Sequence, residues 1–367
     1  MATDRRHFLK ILGGGTLFAA SGAGIFLSTR TPHAALAPWD QAGHYEDVRK
    51  WALSYALLAP NPHNRQPWLV DLSQTNSITI YRDKLRDLPH TDPYSRQLTV
   101  GMGCFLELLA IAASQRGHRV DYVLYPEGEE GPVAHATFSL GAKPDPLFAQ
   151  VMNRRSCKEP FLMDPLSEQH AAALRPYCQV ISEADPVAQL KTLTLEAWMV
   201  EANTPRTLQE SVDLMRIGKS EINANPDGID LGGPFLETLN VVGILTRENQ
   251  LDPKSSGFKQ GMEIYRQMLT ATPAYCALTT KGNSRLEQIS AGRQWLRLNL
   301  KTTELGLALH PVSQALQEYP EMATHYRQAH QLLAKPGETV QLLGRLGHGP
   351  VTPRSPRWPL EAKIIHA

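Results

Sequence analysis

The sequence predicts a mixed α+β protein, and three observations support this prediction. Trp68, Val70 and Leu72 alternate with other residues, which is the period-two pattern of a half-buried strand. Residues 98–114 form a predominantly apolar run typical of a buried helix. The composition, 42% hydrophobic and 20% charged, is that of a globular chain and excludes a disordered or collagen-like protein.

The first half of the chain is predicted to alternate helices with strands. A helix over residues 45–58 ends at a loop containing Pro60 and Pro62, because proline cannot continue a helix. The elements predicted after that loop are strands at residues 68–72 and 78–80, a helix over 98–114, and strands at 120–124 and 133–140. A proline-containing connection, residues 141–155, leads to the second half.

The second half is predicted to be richer in helix. Residues 274–280 form a short buried strand, and Ser284 with Glu287 gives the capping-box signature of a helix start. That helix should carry an apolar stripe and end at Pro311; the stripe consists of Leu286, Ile289, Leu296 and Leu300. The tail, residues 347–359, is predicted to be extended and irregular.

The first 37 residues are predicted to be an export signal. Arg5 and Arg6 stand before a Phe-Leu-Lys triplet, and residues 11–29 carry no charge. The arginine pair at this spacing resembles the twin-arginine signal, although Asp4 stands where serine or threonine is commoner. A plain membrane anchor is the alternative, but five glycines in the uncharged stretch weaken insertion.

The sequence leaves open whether this leader is removed. Residues 35–37, Ala-Leu-Ala, form the best small-x-small cleavage sequence, but Pro38 follows and hinders signal peptidase. The expected location is the periplasm, reached through the twin-arginine translocase, with an uncleaved leader as a membrane anchor left open. That route carries folded proteins, which favours a cofactor bound before export.

Charge and composition exclude several classes of function. Lysine plus arginine number 37 against 36 aspartate plus glutamate, a net charge of +1, so no nucleic-acid surface is indicated. The four cysteines show no CxxC spacing and the histidines show no ligand spacing, so no metal is predicted. Hydrolase and nucleotide-loop motifs are missing from the sequence, and Gly101-Met102-Gly103 lacks the third glycine of a dinucleotide fingerprint.

The loop of residues 60–68 is the first candidate ligand-binding segment. Its amides Asn64 and Gln66 are two positions apart, so in an extended loop they point the same way. Each offers a donor and an acceptor, which suits the edge of a heteroaromatic ring. The alternative is that these amides satisfy backbone groups of the loop itself.

Two basic segments follow in the second half. In an extended strand Arg154, Ser156 and Lys158 would share one face, a row that matches a phosphate, a polyol chain and an electron-rich ring edge. Near the end of the chain Arg354 and Arg357 stand between prolines, which reduce the entropy lost on gripping an anion. A solvated basic edge and an ordered surface tail are the alternatives.

In this order the segments resemble the nitroreductase superfamily of FMN-dependent oxidoreductases, in particular its tandem Acg-type branch. Residues 64–68 match the N-x-Q-P-W motif, and residues 154–158 match R-x-S-x-[RK]. Residues 92–98 and the stretch from 274 to 311 are also similar to that family. The resemblance extends from about residue 45 to residue 359.

The resemblance implies a nitroreductase fold made of two fused halves, residues 40–150 and 151–367, that imitate the family dimer. The N-x-Q-P-W loop occurs only in the first half and the basic segments only in the second. One FMN site per chain is therefore expected, in a pseudo-dimeric monomer. Further dimerisation is left open.

The resemblance also implies a role for each site residue. Arg154, Arg354 and Arg357 would hold the FMN phosphate, Ser156 would contact the ribityl chain or ring edge, and Lys158 would face the N1/O2 edge. The residues expected to line the ring are Pro60, Asn61, Pro62 and Asn64, with Gln66 behind them, and Pro311, Val312 and Ser313 near flavin N5. No side chain is assigned as catalytic, because the flavin carries the redox chemistry.

The implied activity is a two-electron, ping-pong transfer of hydride at N5 to electron-poor acceptors such as nitroaromatics or quinones. The donor would be NAD(P)H or, where that is scarce outside the cytoplasm, a quinol or a partner protein. An exported FMN-binding, storage or sensing protein is the alternative, with residues 223–234 as a lid over an occluded flavin. A structural domain that has lost FMN is disfavoured because all three contact segments are present.

Overall fold

The computed structural model describes residues 29–367, so the arginine pair and the uncharged stretch up to residue 28 lie outside the described residues. In the described part, helices and strands alternate before residue 150 and helices predominate after it, which confirms the α+β prediction. The helices are α1 His33–Gln41, α2 Val48–Ala56, α3 Arg96–Gln115, α4 Glu168–Leu174, α5 Ala184–Asn203, α6 Pro205–Asp213, α7 Gly218–Ala224, α8 Pro234–Val241, α9 Arg247–Leu251, α10 Ser256–Thr270, α11 Arg285–Glu304 and α12 Ala323–Leu333.

The strands form three sheets. They are β1 Trp68–Asp71, β2 Ser77–Arg82, β3 His118–Leu124, β4 Ala134–Leu140, β5 Gln179–Ile181, β6 Met215–Ile217, β7 Ile229–Leu231, β8 Ala274–Thr280, β9 Ala308–Pro311, β10 Thr339–Gly347 and β11 Ile364–His366. The strand orders are β11-β1-β2-β4-β3, β5-β8-β10-β9 and β6-β7. The C-terminal strand β11 thus joins the first sheet, in parallel with β1.

Helices α3 and α11 pack against each other in the centre of the molecule. They cross closely because Gly103 and Gly292 face each other, and a Cβ on either would collide with backbone of the other helix. By length and composition α3 would be able to cross a membrane, but most of it is buried inside the protein. The two helices therefore join the first sheet to the second through a common core.

Residues 92–98 begin α3 and tie it to the second sheet. The Asp92 carboxylate accepts hydrogen bonds from the backbone N–H groups of Gln97 and Leu98 at 3.1 and 2.9 Å, as a helix N-terminus requires. Arg96 is 1% exposed, forms an ion pair with Glu318 and donates to the carbonyl of Gln341 at 2.7 Å. This segment therefore has a structural role at the junction of the two sheets.

The predicted capping box is confirmed, but the predicted end of its helix is wrong. Ser284 and Glu287 exchange the two expected hydrogen bonds at the start of α11. The helix ends at Glu304 and not at Pro311, because the chain turns through Gly306, whose φ of 70° lies in the left-handed region. Pro311 is the last residue of β9, and Leu286, predicted in the apolar stripe, is 54% exposed.

The core of the second half contains a buried carboxyl group. Glu201 on α5 is 8% exposed, and its Oε2 accepts a hydrogen bond from Gln317 Nε2 at 2.8 Å. The pKa of Glu201 is raised to about 7, mainly by burial and also by the charge of Glu210, while hydrogen bonds from Gln317, Gln314 and Ser211 oppose the rise. The charged form of this carboxyl is therefore unfavourable in the folded state.

Replacing Glu201 by glutamine should remove a pH-dependent loss of stability. The folded-state pKa of about 7 lies above the ordinary 4.5. Between these values the folded state keeps a proton that the unfolded state releases, so the free energy of unfolding falls as pH rises. The loss approaches completion about one pH unit above 7 and amounts to about 3 kcal/mol. In urea unfolding, the free energy of unfolding of Glu201→Gln should exceed that of the wild type at pH 8 but not at pH 4. Equal unfolding curves for the two proteins at both pH values would contradict this account.

Candidate functional site

The loop between α2 and β1 has an unusual backbone. His63, Asn64 and Gln66 have φ values of 47°, 50° and 51°, so three non-glycine residues within four positions are in the left-handed region. Such conformations cost about 1–3 kcal/mol each and persist where surrounding contacts enforce them, often at functional sites. The loop predicted to bind a ligand is therefore a tightly constrained segment.

Contacts from inside the first half hold this loop. The Asn61 Oδ1 atom accepts from the Gln66 backbone N–H at 2.7 Å, which closes the loop. The loop lies directly on α3, where a Cβ added at Gly101 would be 3.1 Å from the Asn61 Cβ. Because Gly101 has no side chain, the loop can pack on α3, and because Gly103 has none, α11 can approach closely. These two packing roles explain the Gly-x-Gly sequence, which fits no nucleotide-binding motif. Pro60, Asn61 and Pro62 are half-buried.

The amides Asn64 and Gln66 are bonded to distant parts of the chain. Asn64 donates to the carbonyl of Pro356 at 3.0 Å and accepts from Arg357 Nη1 at 2.6 Å. Gln66 is fully buried, donates to the carbonyl of Pro226 at 2.7 Å and accepts from the Trp358 N–H at 2.9 Å. Asn64 therefore joins the loop to the C-terminal tail, and Gln66 joins it to the tail and to residues 215–233. The polar side-chain groups of both amides are hydrogen-bonded within the protein.

Arg154 and Arg357 meet at the C-terminal end of α2. Arg154 Nη2 and Arg357 Nη2 both donate to the carbonyl of Leu58, at 2.8 and 3.1 Å. Arg357 Nε also donates to the carbonyl of Leu57 at 2.8 Å, and Arg154 Nη1 donates to Asn299 Oδ1 at 3.0 Å. Cations at this end of a helix are favoured by its dipole. The segment of residues 154–158 and the tail are thus brought together, as the sequence predicted.

These two guanidinium groups carry buried charge that no carboxylate compensates among the described residues. Arg154 is 3% exposed and Arg357 2% exposed, and their hydrogen bonds go to carbonyls, two side-chain amides and a hydroxyl. Burial, together with the charges of nearby arginines, lowers the pKa of Arg154 to about 10 and that of Arg357 to about 9. Buried cations without an anion are unfavourable. A bound anion, such as a phosphate group, would compensate this charge.

Arg354 lies at the rim of this positive region. It forms an ion pair with Asp40 on α1 at 2.8 Å and is about one-third exposed. Its guanidinium and that of Arg155 stack on the ring of Trp39, at 5.4 and 4.9 Å from the centroid. The pKa of Arg155 is lowered by burial and by the charge of Arg354. Arg354 thus adds positive charge from the surface, separately from the buried pair.

Residues 154–158 do not form a strand, so the predicted row on one strand face is wrong. They run beside β9, with one backbone hydrogen bond from Cys157 N to the carbonyl of Leu309 at 3.0 Å. Arg154 is buried, Ser156 half-buried and Lys158 exposed. The segment nevertheless runs from the buried guanidinium of Arg154 to the exposed side chain of Lys158.

Lys158 and Asp230, which both belong to the second half of the chain, are close enough for their charges to interact. Both side chains are exposed, yet the protein around them lowers the pKa of Lys158 and raises that of Asp230 through desolvation. The negative charge of Asp230 acts to raise the pKa of Lys158, and the positive charge of Lys158 acts to lower the pKa of Asp230, so the two groups attract each other. Asp230 is on β7, inside the segment predicted to be a lid.

Two histidines near Lys158 were not predicted from the sequence. Burial and the charges of Lys158 and Arg65 lower the pKa of His63 to about 4. Burial and the charges of Arg345 and Lys158 lower the pKa of His310 well below its usual value. Arg345 Nη1 donates to His310 Nδ1 at 3.1 Å, which leaves the imidazole proton on Nε2. Both rings are neutral at pH 7; scattered single histidines give no sequence signal for this.

Pro311, Val312 and Ser313 follow His310 at the edge of the second sheet. The Val312 N–H donates to the carbonyl of Leu343 at 2.9 Å, and Val312 is 2% exposed. Pro311 and Ser313 are half-buried. The Val312 amide hydrogen is thus used by the protein, and only its neighbours reach the surface.

Asp227 fixes the segment of residues 215–233 over the constrained loop. Its side chain is 1% exposed and forms ion pairs with Arg65 at 3.3 Å, with Arg216 at 2.9 Å and with Arg86. Arg65 belongs to the loop itself, and the neighbouring Pro226 carbonyl accepts from Gln66. The segment contains β6, α7 and β7, so residues 223–234, predicted to be a lid, include the strand β7. No sequence pattern indicated the three arginines around Asp227, which only the structure identifies.

The comparisons with known proteins give one similarity in sequence. No family model matches the chain. It is 31% identical over 80 residues, 22% of this chain, to Acg of Mycobacterium tuberculosis, a protein named as an NAD(P)H nitroreductase, in strains CDC 1551 and H37Rv. The chain spans about a quarter of the length of this curated relative, 24%.

Solved nitroreductases give weaker structural matches. A nitroreductase with bound FMN from Desulfitobacterium hafniense is 13% identical, with 61% of this chain and 98% of that chain covered, at a TM-score of 0.36. The FMN-dependent nitroreductase NfnB from Mycobacterium smegmatis, in complex with NADPH, is 15% identical, with 59% and 96% covered, at a TM-score of 0.38. Both TM-scores lie below 0.5. The similarity that remains is the one in sequence, to Acg over a segment of 80 residues.

Proposed function

We propose that this protein is an FMN-dependent, nitroreductase-like oxidoreductase that transfers two electrons to electron-poor acceptors such as nitroaromatics or quinones. The observation that carries the proposal is the pair of buried guanidinium groups, Arg154 and Arg357, bonded to no carboxylate among the described residues. A phosphate would compensate that charge. The sequence similarity to Acg supports the same assignment.

The residues that would hold FMN lie on both halves of the chain. Arg154 would bind the phosphate directly, whereas Arg357, whose N–H groups are engaged by carbonyls, Asn64 and Ser355, would act through its charge. The constrained loop, with Pro60, Asn61 and Pro62, would line the ring opposite Lys158. When bound, FMN supplies a ring that accepts and releases hydride at N5.

Charged and neutral protein groups around Lys158 would tune the redox chemistry of the ring. The Lys158 ammonium would stabilise negative charge on the reduced ring and so raise its reduction potential. Asp230 would hold Lys158 in position by attraction, while the neutral rings of His63 and His310 add no charge. Residues 226–231 would limit the access of water. No side chain is needed as a strong acid or base.

We also propose that the chain is a tandem of two nitroreductase-like halves, residues 40–150 and 151–367. Two central helices of equal length, α3 and α11, and two main sheets support this arrangement. The strand β11 crosses to the sheet of the first half, as a C-terminal arm would between subunits. The pseudo-dimer would then hold one complete site, at the junction between its halves.

The leader supports a proposed location in the periplasm. Arg5, Arg6 and the uncharged residues 11–29 would direct the folded protein through the twin-arginine translocase. Because NAD(P)H is scarce there, the electron donor would be a membrane quinol or a partner protein. NAD(P)H is the alternative electron donor, against which a quinol or a partner protein should be tested.

A second candidate is an exported FMN-binding protein, for storage or sensing, with little turnover. The observation in its favour is the fixed position of residues 215–233 over the constrained loop, held by Gln66 and by the three arginines around Asp227. A lid that stayed closed would occlude the flavin and prevent substrate access.

The absorbance of the purified protein separates these functions. Protein isolated without added flavin should be yellow, and anaerobic titration with NADPH, NADH or a reduced quinone should bleach it. Reoxidation by a nitroaromatic or a quinone would then support the oxidoreductase. Yellow protein reduced by dithionite alone would favour the binding protein. Colourless protein that refuses added FMN would contradict both.

A further inference from the structure

Helix α8 presents an apolar face to solvent. Residues 235–245 contain a single charged side chain, Glu237. It is turned inward, where its carboxylate accepts from the Lys219 backbone N–H and from Arg30, both at 3.1 Å. The large side chains left outside are Phe235, Val241 and Val242, which are 44%, 80% and 61% exposed. Single exposed apolar residues are ordinary, but a cluster on one short helix indicates a binding surface.

The described chain begins beside this helix. The carbonyl of Thr29 accepts from Lys219 Nζ at 2.8 Å, and Arg30 forms an ion pair with Glu237 of α8 at 3.1 Å. Residues 11–28, which come immediately before, carry no charge. An apolar segment therefore joins the folded protein at the same helix whose apolar face is exposed.

Helix α1 fixes that point of entry. The Ala35 N–H donates to Asn223 Oδ1 at 3.1 Å, its carbonyl accepts from the Arg357 N–H at 2.9 Å, and Trp39 Nε1 donates to the carbonyl of Ser355 at 2.8 Å. The candidate cleavage sequence at residues 35–37 lies inside α1, and Ala35 is 1% exposed. Proteases cut exposed, unstructured chain. The folded protein should therefore keep residues 1–37.

We infer that α8 docks on a lipid bilayer, with Phe235, Val241 and Val242 in the interface beside the retained leader. A lipid surface is favoured over a protein partner because the uncharged stretch that ends at α8 is nearly long enough to span a bilayer. An interfacial helix would add buried apolar area to the attachment that the leader provides. The inference does not depend on FMN or on redox activity.

Site-specific labelling of the full-length protein tests this docking. All four native cysteines are buried, so a cysteine introduced in Val242→Cys can be labelled selectively with an environment-sensitive fluorophore. Phosphatidylcholine–phosphatidylglycerol vesicles that contain nitroxide-labelled lipids should quench this probe. Val123 on β3 has the same 61% exposure, so a probe in Val123→Cys is the matched control and should stay unquenched.

A vesicle-binding series adds a second measurement. The double variant Val241→Asp, Val242→Asp should partition to vesicles about tenfold less than the wild type, because both changes put charge into the interface. The control Leu140→Asp, Val123→Asp changes side chains that are 79% and 61% exposed and should bind like the wild type.

Three outcomes would overturn the inference. Vesicle binding with no quenching at position 242 would mean that the leader binds alone. A probe at position 242 that is already blue-shifted without vesicles, and is not quenched by them, would mean that residues 11–28 or another protein cover α8. Equal partitioning of the two double variants would mean that α8 contributes nothing to membrane binding.

Discussion

Replacing Arg154 by methionine should weaken FMN binding about a thousandfold, the largest effect on affinity that the structure predicts. The guanidinium is 3% exposed and bonded to no carboxylate among the described residues, so it would meet the phosphate in a desolvated setting. Truncating one partner of a buried charge pair costs about 4 kcal/mol, and 1.4 kcal/mol corresponds to a factor of ten. Fluorescence titration of flavin-free protein measures the dissociation constant directly.

Arg96→Met is the matched control for that variant. Arg96 is as deeply buried as Arg154, but it has its own carboxylate, Glu318, and lies at the start of α3. Removing it should lower the free energy of unfolding by about 3 kcal/mol, because Glu318 loses its partner, and should leave FMN affinity of the folded protein unchanged. Equal FMN affinity in Arg154→Met and the wild type would place the phosphate elsewhere.

Replacing Asp227 by asparagine should destabilise the protein by about 3 to 5 kcal/mol, the cost of removing the anion from a buried ion cluster. Asp227 is the shared partner of Arg65, Arg86 and Arg216, and its side chain is 1% exposed. Without the carboxylate, three cations would repel one another beside the constrained loop. Urea unfolding measures the loss, and limited proteolysis should cut first within residues 215–233.

Asp121→Asn provides the comparison for Asp227. Asp121 pairs with Arg119 on the exposed strand β3, where the side chains are 57% and 67% exposed, so its loss should change stability by less than about 1 kcal/mol. If Asp227→Asn behaved like Asp121→Asn, the three arginines would not depend on the carboxylate. The segment of residues 215–233 would then be held by other contacts.

Local sequence patterns predicted the elements of the fold where one short-range interaction decides the structure. The strand at residues 274–280 and the helix start at Ser284 agree with the structure because apolar runs and capping boxes act within a few residues. The end of α11 was predicted wrongly because Gly306 turns the chain before Pro311 can. Glycine permits a left-handed turn but does not require it, so the sequence does not determine that choice.

The candidate site shows a similar division. The sequence identified Arg154 and Arg357 by residue type and spacing, but it contains no information on their partners. Their meeting at the carbonyl of Leu58 depends on tertiary packing. The pairing of His310 with Arg345 likewise requires the register of β9 against β10, which no local pattern specifies. Burial, and with it the pKa of each group, follows only from the complete fold.

Residues close to the C-terminus hold the constrained loop, and this sets the order in which the protein is assembled. Asn64 is bonded to Arg357 across 293 positions, and the Gln66 carbonyl accepts from Lys363 Nζ at 2.8 Å across 297 positions. During synthesis the loop therefore leaves the ribosome long before its partners exist. Contacts of such sequence separation form late in folding.

A nascent chain thus cannot complete the contacts of the constrained loop until residues 356–363 have left the ribosome. Residues 356–363 supply the last of these contacts. Their hydrogen bonds fix a loop whose backbone conformation is energetically unfavourable by itself. A chain shortened by ten residues at its C-terminus would lack Trp358 and Lys363, although both central helices would be intact. The contacts that hold the constrained loop are therefore complete only after residue 363 has been made.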